Sequence, residues 1–201
     1  MTFAEGRIRQ AMASDTDALY EICLKTADAG KDASELYSDP HYPGLRFAVP
    51  YARFAPDFAF VLEKEQKVVG YVVAAPDTVA FERRLAQAWW PQQAERLSER
   101  QPVAALDSKI LDSVRHPETA SEALTTPFPA HLHINLLPEA QRGGWGRRLV
   151  VQQLAALKAA GVKGVYVGIS LQNEPVTAFY QRLGFHFLFR SNAIYMGQDL
   201  N

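Results

Sequence analysis

The stretch from residue 132 to residue 161 constrains the fold more than any other. Leu132-His133-Ile134-Asn135-Leu136-Leu137 alternates polar and apolar side chains, as a half-buried strand does. Gln141-Arg142-Gly143-Gly144-Trp145-Gly146-Arg147-Arg148 follows. Trp145, Leu149, Val150, Leu154 and Leu157 then recur at helical spacing to about Ala160, and Gly161 is placed to end that helix. A strand, a glycine turn and an amphipathic helix in this order need a sheet to join and a sheet face to cover. The turn is also suited to an anion. A helix start leaves amide N–H groups unpaired and carries partial positive charge. Glycines let a phosphate reach the backbone, and Arg142, Arg147 and Arg148 add full charge. The plainer alternative is a glycine turn with solvated arginines. No Gly-Lys-Ser/Thr follows, so the turn is not a P-loop, and the dinucleotide-binding order of glycines is absent.

The rest of the chain supplies further sheet. Arg7 to Ala11 reads as a strand, followed by a helix from Ser14 to about Ala27. Residues 28–56 read as irregular, with Pro40, Pro43, Pro50 and Pro56 as turn formers. They carry Tyr37, Tyr42, Phe47, Tyr51 and Phe54, an aromatic load that suits a lid or a ligand cleft. Phe58–Glu63 and Lys67–Ala74 form a hairpin across Lys64-Glu65-Gln66. Thr78 to about Pro129 is a helical insertion, with Phe81, Leu85, Ala88 and Trp89 on one face and Ile110, Leu111 and Val114 in a second helix. Val165–Ile169 is a strand, Pro175–Leu183 a helix, and Phe187–Phe189 and Ala193–Met196 are closing strands. The class is α+β, or mixed α/β: a central sheet with helices on its faces.

Composition narrows the function. Hydrophobic residues make up 48% and charged residues 21%, which excludes global disorder. Lys plus Arg number 21 against 22 Asp plus Glu, so no charge excess draws the chain to nucleic acid or to an anionic membrane. No apolar run approaches the roughly 20 residues that span a bilayer, and Met1–Arg7 has no apolar signal core. The single cysteine, Cys23, excludes an internal disulfide and reads as a buried apolar group. A cytoplasmic setting fits. His41 and His186 have no partner at metal-ligand spacing.

Gln141, Gly144 and Gly146 match the fixed positions of the Gln/Arg-x-x-Gly-x-Gly/Ala signature of the GNAT acyltransferase superfamily, with Pro138 and Glu139 as its approach. Asn173, Ala178, Phe179-Tyr180 and Gly184-Phe185 resemble that superfamily's C-terminal signature. Asp57–Glu63, Gly70-Tyr71, Asp77–Phe81 and Trp90-Pro91 resemble the acetyltransferase-like C-terminal domain of eukaryotic O-GlcNAc hydrolases. The chain looks like a free-standing bacterial relative of that domain. The resemblance implies a mostly antiparallel GNAT sheet, one domain over residues 1–201, and a helical insertion at 78–129 after the third strand.

It also implies acetyl-CoA as cofactor and direct acyl transfer to an amine or peptide. The pyrophosphate would lie on amides from Arg142 through Gly143, Gly144, Trp145 and Gly146 to Arg147, with Gln141 beside them. The pantetheine arm would pair with the backbone of Leu136 and Leu137, and an N–H near Leu136 would polarise the acetyl carbonyl. Tyr180 would protonate the departing thiolate, and Asn173 would hold the arm or the splayed strands. The base that deprotonates the amine is open among His133, Asp77, Glu82, His131 and a water chain. Trp89-Trp90 either lines an acceptor groove or fills the insertion core, and Arg83, Arg84, Arg96 and Arg100 form a solvated face. Homodimers are common in the superfamily, although no exposed stripe here requires one. A catalytically weak domain that holds CoA or a peptide is the competing reading.

Overall fold

The computed structural model describes residues 6–200; the reading of Met1–Glu5 lies outside them. Among these residues seven strands form one sheet in the order β1-β2-β3-β4-β5-β7-β6. The strands are β1 Gly6–Gln10, β2 Ala59–Lys64, β3 Lys67–Ala75, β4 Ala130–Leu136, β5 Gly164–Ile169, β6 His186–Arg190 and β7 Ile194–Asp199. Every neighbouring pair is antiparallel except β4 and β5, which run parallel. The sheet is therefore mostly antiparallel and mixed with helices, as the sequence pattern requires.

Helices cover both faces. α1 (Thr16–Leu24), α2 (Tyr42–Phe47) and α3 (Val49–Phe54) precede the hairpin. α4 (Thr78–Ala88), α5 (Trp90–Arg96), α6 (Asp107–Arg115) and α7 (Glu122–Thr125) lie between β3 and β4. α8 (Trp145–Ala159) and α9 (Thr177–Gln181) belong to the last third. β3 shows why a continuous apolar run forms here. Tyr71, Val73 and Ala75 pack with α1 to α6, while Val72 and Ala74 pack with α8 and the strands beyond it. Both faces are covered, so both parities of the strand are apolar.

Several boundaries differ from the sequence expectation. Residues 28–56 are not irregular throughout: they contain α2 and α3, each with its proline in the first turn. Pro43 and Pro50 start helices rather than break them, because a first-turn residue has no intrahelical N–H bond to lose. α1 stops at Leu24 rather than Ala27, and the Thr26 hydroxyl donates to the Ile22 carbonyl at 2.7 Å. The expected helix 175–183 is shorter. A 3₁₀ segment spans Leu171–Val176, broken at Asn173 (φ −117°, ψ 30°), and α9 follows it. In α4, Phe81, Leu85 and the adjoining Trp89 are buried, but Ala88 is exposed.

One tie between the insertion and the segment before α2 is a buried carboxylate. Asp107 is fully buried. It accepts from Ser38 N at 2.9 Å, Ser38 Oγ at 2.6 Å, and Val103 N and Ala104 N at 2.8 Å each. Burial alone pushes this carboxyl upward, but the bonds from Ser38, Ala104 and Val103 hold it at about 2. Asp107→Ala leaves these donors without a partner. Hydrogen bonds to charged groups are worth about 1.5–3 kcal/mol each, though not additively. The variant is expected to lose about 3 kcal/mol in urea unfolding, and an unchanged midpoint would show that Asp107 does not anchor the insertion.

Candidate active site

The site begins where two strands part. The β4–β5 pairing is confined to Ala130 with Val165 and His131 with Tyr166. Beyond it the strands splay, and a cleft of about 1330 Å³ opens between them. Its walls include Leu132–Leu136 of β4 and Val167–Ile169 of β5, with α8 and α9 at one side. Leu137 N donates to Val69 O at 2.9 Å, on the β3 side. Backbone polar groups alternate sides along a strand, so Ile134 and Leu136 present theirs to the splay. Leu136 O already accepts from Gln141 Nε2 at 3.0 Å. By the same alternation the Leu136 N–H lies on the cleft side. The Leu137 N–H does not, because β3 already holds it.

The glycine turn closes the mouth of the splay. Gly144 caps α8 in the left-handed region (φ +73°), and Arg142 is also left-handed (φ +66°). A Cβ on Gly144 would meet nothing within 4 Å, so this face of the turn is open. Gly146 lies over Phe179, where a Cβ would sit 3.5 Å from the ring, and close to Leu136. Gln141, Arg142, Gly144, Gly146 and Arg147 line the cleft. Gly143 and Trp145 do not. A Cβ on Gly143 would face the Trp145 ring at 3.0 Å, and that ring packs against Gly6 of β1. Arg148 stacks over the Trp145 ring at 4.6 Å, so it too turns from the cleft. The Trp145 ring packs on the core beside β1 and so ties the helix start to the sheet edge, while its backbone amide stays in the turn.

Tyr180 and Asn173 both line the cleft. The Tyr180 ring is buried between Phe179 and Phe185, with centroids at 5.2 and 5.3 Å. Burial pushes its phenol above the ordinary range, which keeps it protonated at neutral pH.

On the opposite side of β4, His131, His133 and Asn135 face α1 to α3 by strand parity. Tyr51 of α3 joins the histidines: its hydroxyl lies 2.7 Å from His131 Nε2 and 3.0 Å from His133 Nε2. Thr78 Oγ1 lies 2.7 Å from His131 Nδ1. Asn135 donates to the Tyr71 hydroxyl at 2.7 Å. Burial lowers His131 to about 3 and His133 to about 4, with smaller contributions from His133 on His131 and from Arg46 on His133. Both imidazoles are neutral at pH 7. A second cavity of about 470 Å³ runs past Phe81, Glu82 and Trp90. It shares Arg46, Phe47, Leu132, His133, Gly168 and Asn192 with the cleft, so the two spaces meet at His133.

Asp77 is not brought to this junction. It is exposed and lines neither cavity; its carboxylate caps α4 by accepting from Ala80 N at 2.9 Å. Glu82 lines the second cavity, where burial raises its carboxyl and Ala120 N donates to it at 3.0 Å. The tryptophan pair divides. Trp89 is core, its indole N–H donating to Leu45 O at 3.0 Å, while Trp90 lines the second cavity. Tyr51 belongs to the aromatic stretch expected to form a lid or ligand cleft, but its link to the two histidines was not foreseen. The available signal was the pair His131 and His133, two apart and therefore on one face of the strand.

A sheet splayed after two residues of parallel pairing, with a glycine–arginine turn at the mouth, defines an acyltransferase type of fold. The chain belongs to the acetyltransferase (GNAT) family, whose model matches residues 19–185. The crystal structure of SsHAT is 35% identical and covers 98% of each chain with a TM-score of 0.87. Protein O-GlcNAcase of Rattus norvegicus is 22% identical over 180 residues, 88% of this chain and 20% of that protein. The chain thus spans about a fifth of the length of that curated relative. A phosphinothricin acetyltransferase of Sinorhizobium meliloti, solved in complex with AcCoA, shares the fold at 16% identity, with a TM-score of 0.57 and coverage of 98% and 89%. Among the described residues no helix is long and apolar enough to cross a membrane.

The buried neutral histidines give stability a pH slope. Their folded values lie below the unfolded value of about 6.5, so the unfolded chain binds more protons between pH 4 and 6.5. Stability is full above that window and falls as pH drops through it. Glu82, raised in the fold, acts in the opposite sense. The expected slope is up to about 1.4 kcal/mol per pH unit for each histidine. Urea midpoints across pH 4–7 check it; a slope that persists after His131→Gln and His133→Gln would assign it elsewhere.

Proposed function

We propose that the chain is an acetyl-CoA-dependent N-acetyltransferase that moves the acetyl group directly to an amine, acting as one domain over residues 1–201 with the insertion 78–129. The observation that carries this is the β4–β5 splay with the open glycine turn at its mouth. Acetyl-CoA supplies a thioester whose acyl carbon an amine can attack. Amides and side chains from Arg142 to Arg147 fit a pyrophosphate, because the turn presents glycine and arginine rather than carboxylate. The backbone of Ile134 and the Leu136 N–H suit an extended amide-bearing arm, Leu136 O being taken by Gln141, and that N–H would stabilise an oxyanion. Tyr180 holds a proton on its hydroxyl for the sulfur as the C–S bond breaks. The acceptor reacts as the free amine. As its lone pair forms the C–N bond the nitrogen becomes acidic and gives a proton to His133, which is too weak a base to take one from an ammonium. That proton returns through solvent to replace the one Tyr180 gives to sulfur. His133 is favoured over Asp77 because it stands where the two cavities meet. The second cavity is the acceptor's route, and its aromatic walls favour an amine on an apolar stem.

Acetyl-CoA is expected to raise the melting temperature. At a hundred times Kd, mass action adds about 2.7 kcal/mol, or roughly 5–10 °C for a chain of this size. Gly146→Val should abolish most of that shift while leaving a folded protein, since its side chain would grow toward Phe179 and the cleft. No shift for the wild type at millimolar acetyl-CoA would remove the cofactor.

Tyr180→Phe keeps the ring between Phe179 and Phe185 and deletes the hydroxyl alone. Acetyl-CoA affinity should hold, and the single-turnover rate should fall toward the low end of the about 10²–10⁴-fold range for a general acid. A wild-type chemical rate in the variant would make Tyr180 a packing residue. Binding without thiol release, across a broad screen of amines and peptides, would favour the CoA-holding domain instead.

A further inference from the structure

The geometry points to Thr78, His131 and Tyr51 as a chain of positioning residues that fixes the proton of His133 on Nε2 and turns the Nδ1 lone pair to the cleft. This goes beyond the reading of His133 as base and rests on it for its catalytic meaning.

The argument is one of hydrogen counting. A neutral imidazole has one N–H and one lone pair, and a tyrosine hydroxyl has one hydrogen to donate. Tyr51 bridges Nε2 of both histidines, so it donates to one and accepts from the other. One histidine must carry its proton on Nε2 and the other on Nδ1. The two tautomers are locked opposite to each other.

The cleft end of the chain chooses the direction, because a threonine hydroxyl at the other end can either donate or accept. At one end Thr78 Oγ1 meets His131 Nδ1, and Thr78 is wholly buried. At the other end His133 spends Nε2 on Tyr51, so Nδ1 is left for the cleft it lines. Arg46 lines both cavities beside it, and its carboxylate partner, Glu118, is exposed and 3.8 Å away. A guanidinium on the cleft side repels an N–H there and favours a lone pair. The chain then reads in one sense. His133 Nε2–H donates to Tyr51, Tyr51 O–H donates to His131 Nε2, and His131 Nδ1–H donates to Thr78 Oγ1. A base that must take a proton from an amine needs this tautomer, since the opposite one presents a hydrogen to the amine's own hydrogens. The role matches that of an orienting group in a catalytic triad, which holds a histidine in its working tautomer without taking the proton itself.

Nitrogen-15 NMR of the histidine rings at pH 7 tests this without any substrate. The expected result is two neutral rings, His133 protonated on Nε2 and His131 on Nδ1. Thr78→Val keeps the shape but removes the acceptor of the His131 N–H. His131 should then move its proton to Nε2, Tyr51 should reverse, and His133 should switch to Nδ1–H, two side chains away from the substitution. Adding Tyr51→Phe should break that transmission. Two identical tautomers in the wild type, a charged ring, or His133 protonated on Nδ1 would overturn the proposal even if no variant folds. So would a His133 that keeps its tautomer in folded Thr78→Val. The acetyl-CoA melting shift decides the transferase reading separately, so failure of one is distinguishable from failure of the other.

Discussion

The short parallel contact between β4 and β5 is the constraint on which the molecule's chemistry depends. Elsewhere in the sheet neighbouring strands pair over most of their length. Here pairing stops after His131 and Tyr166, and the backbone of Ile134 and Leu136 is left with an open side. Unpaired strand edges are costly when buried and are normally covered. The molecule leaves this one in a cleft and surrounds it with α8, α9 and the 3₁₀ segment before α9. Two further features line the same cleft: the start of α8, at Gly144, Gly146 and Arg147, and Tyr180 of α9.

Parity along β4 then sorts the functions. Side chains of even number point toward α8 and α9, and those of odd number toward α1 to α3. Leu132, Ile134 and Leu136 give the cofactor side an apolar wall, while His131, His133 and Asn135 give the other side its polar groups. One strand thus supplies backbone to one partner and side chains to another. A one-residue slip in its register would exchange the two sets, and the pairing with β3 from Gly70 to Ala75 prevents that.

How legible this was depended on how local the cause was. The hairpin, β4, the turn and α8 follow from periodicity and from glycine placement, which act over a few residues. The cleft-facing roles of Gln141, Gly144, Gly146 and Arg147 were legible for the same reason. The resemblance assigned Leu137 to the cofactor through its backbone, but a bond to Val69 O takes its N–H, and the Trp145 ring, as distinct from its amide, packs toward Gly6. Asp77 looked like a base beside a strand end, yet an Asp three residues before an amide at a helix start is also a cap, and the cap prevails here. The Tyr51 contact spans 80 residues of sequence, and that of Asp107 spans 69. No local pattern encodes either.

The insertion walls the second cavity rather than decorating the fold. Its first residue, Thr78, closes the hydrogen-bonded chain on His131, and the Thr78 N–H donates to Pro129 O at 2.7 Å, which draws the two ends of the insertion together. Phe81, stacked on Tyr51 at 4.6 Å, limits where that hydroxyl can lie. Phe81, Glu82 and Trp90 then line the space that leads to His133. In the proposed reaction the segment that departs most from a plain strand–turn–helix chain would both shape the approach of the acceptor and set the ring that receives its proton. On that reading a change of insertion would alter acceptor choice and the state of His133 together, because the segment that lines the second cavity begins at the Thr78 that meets His131.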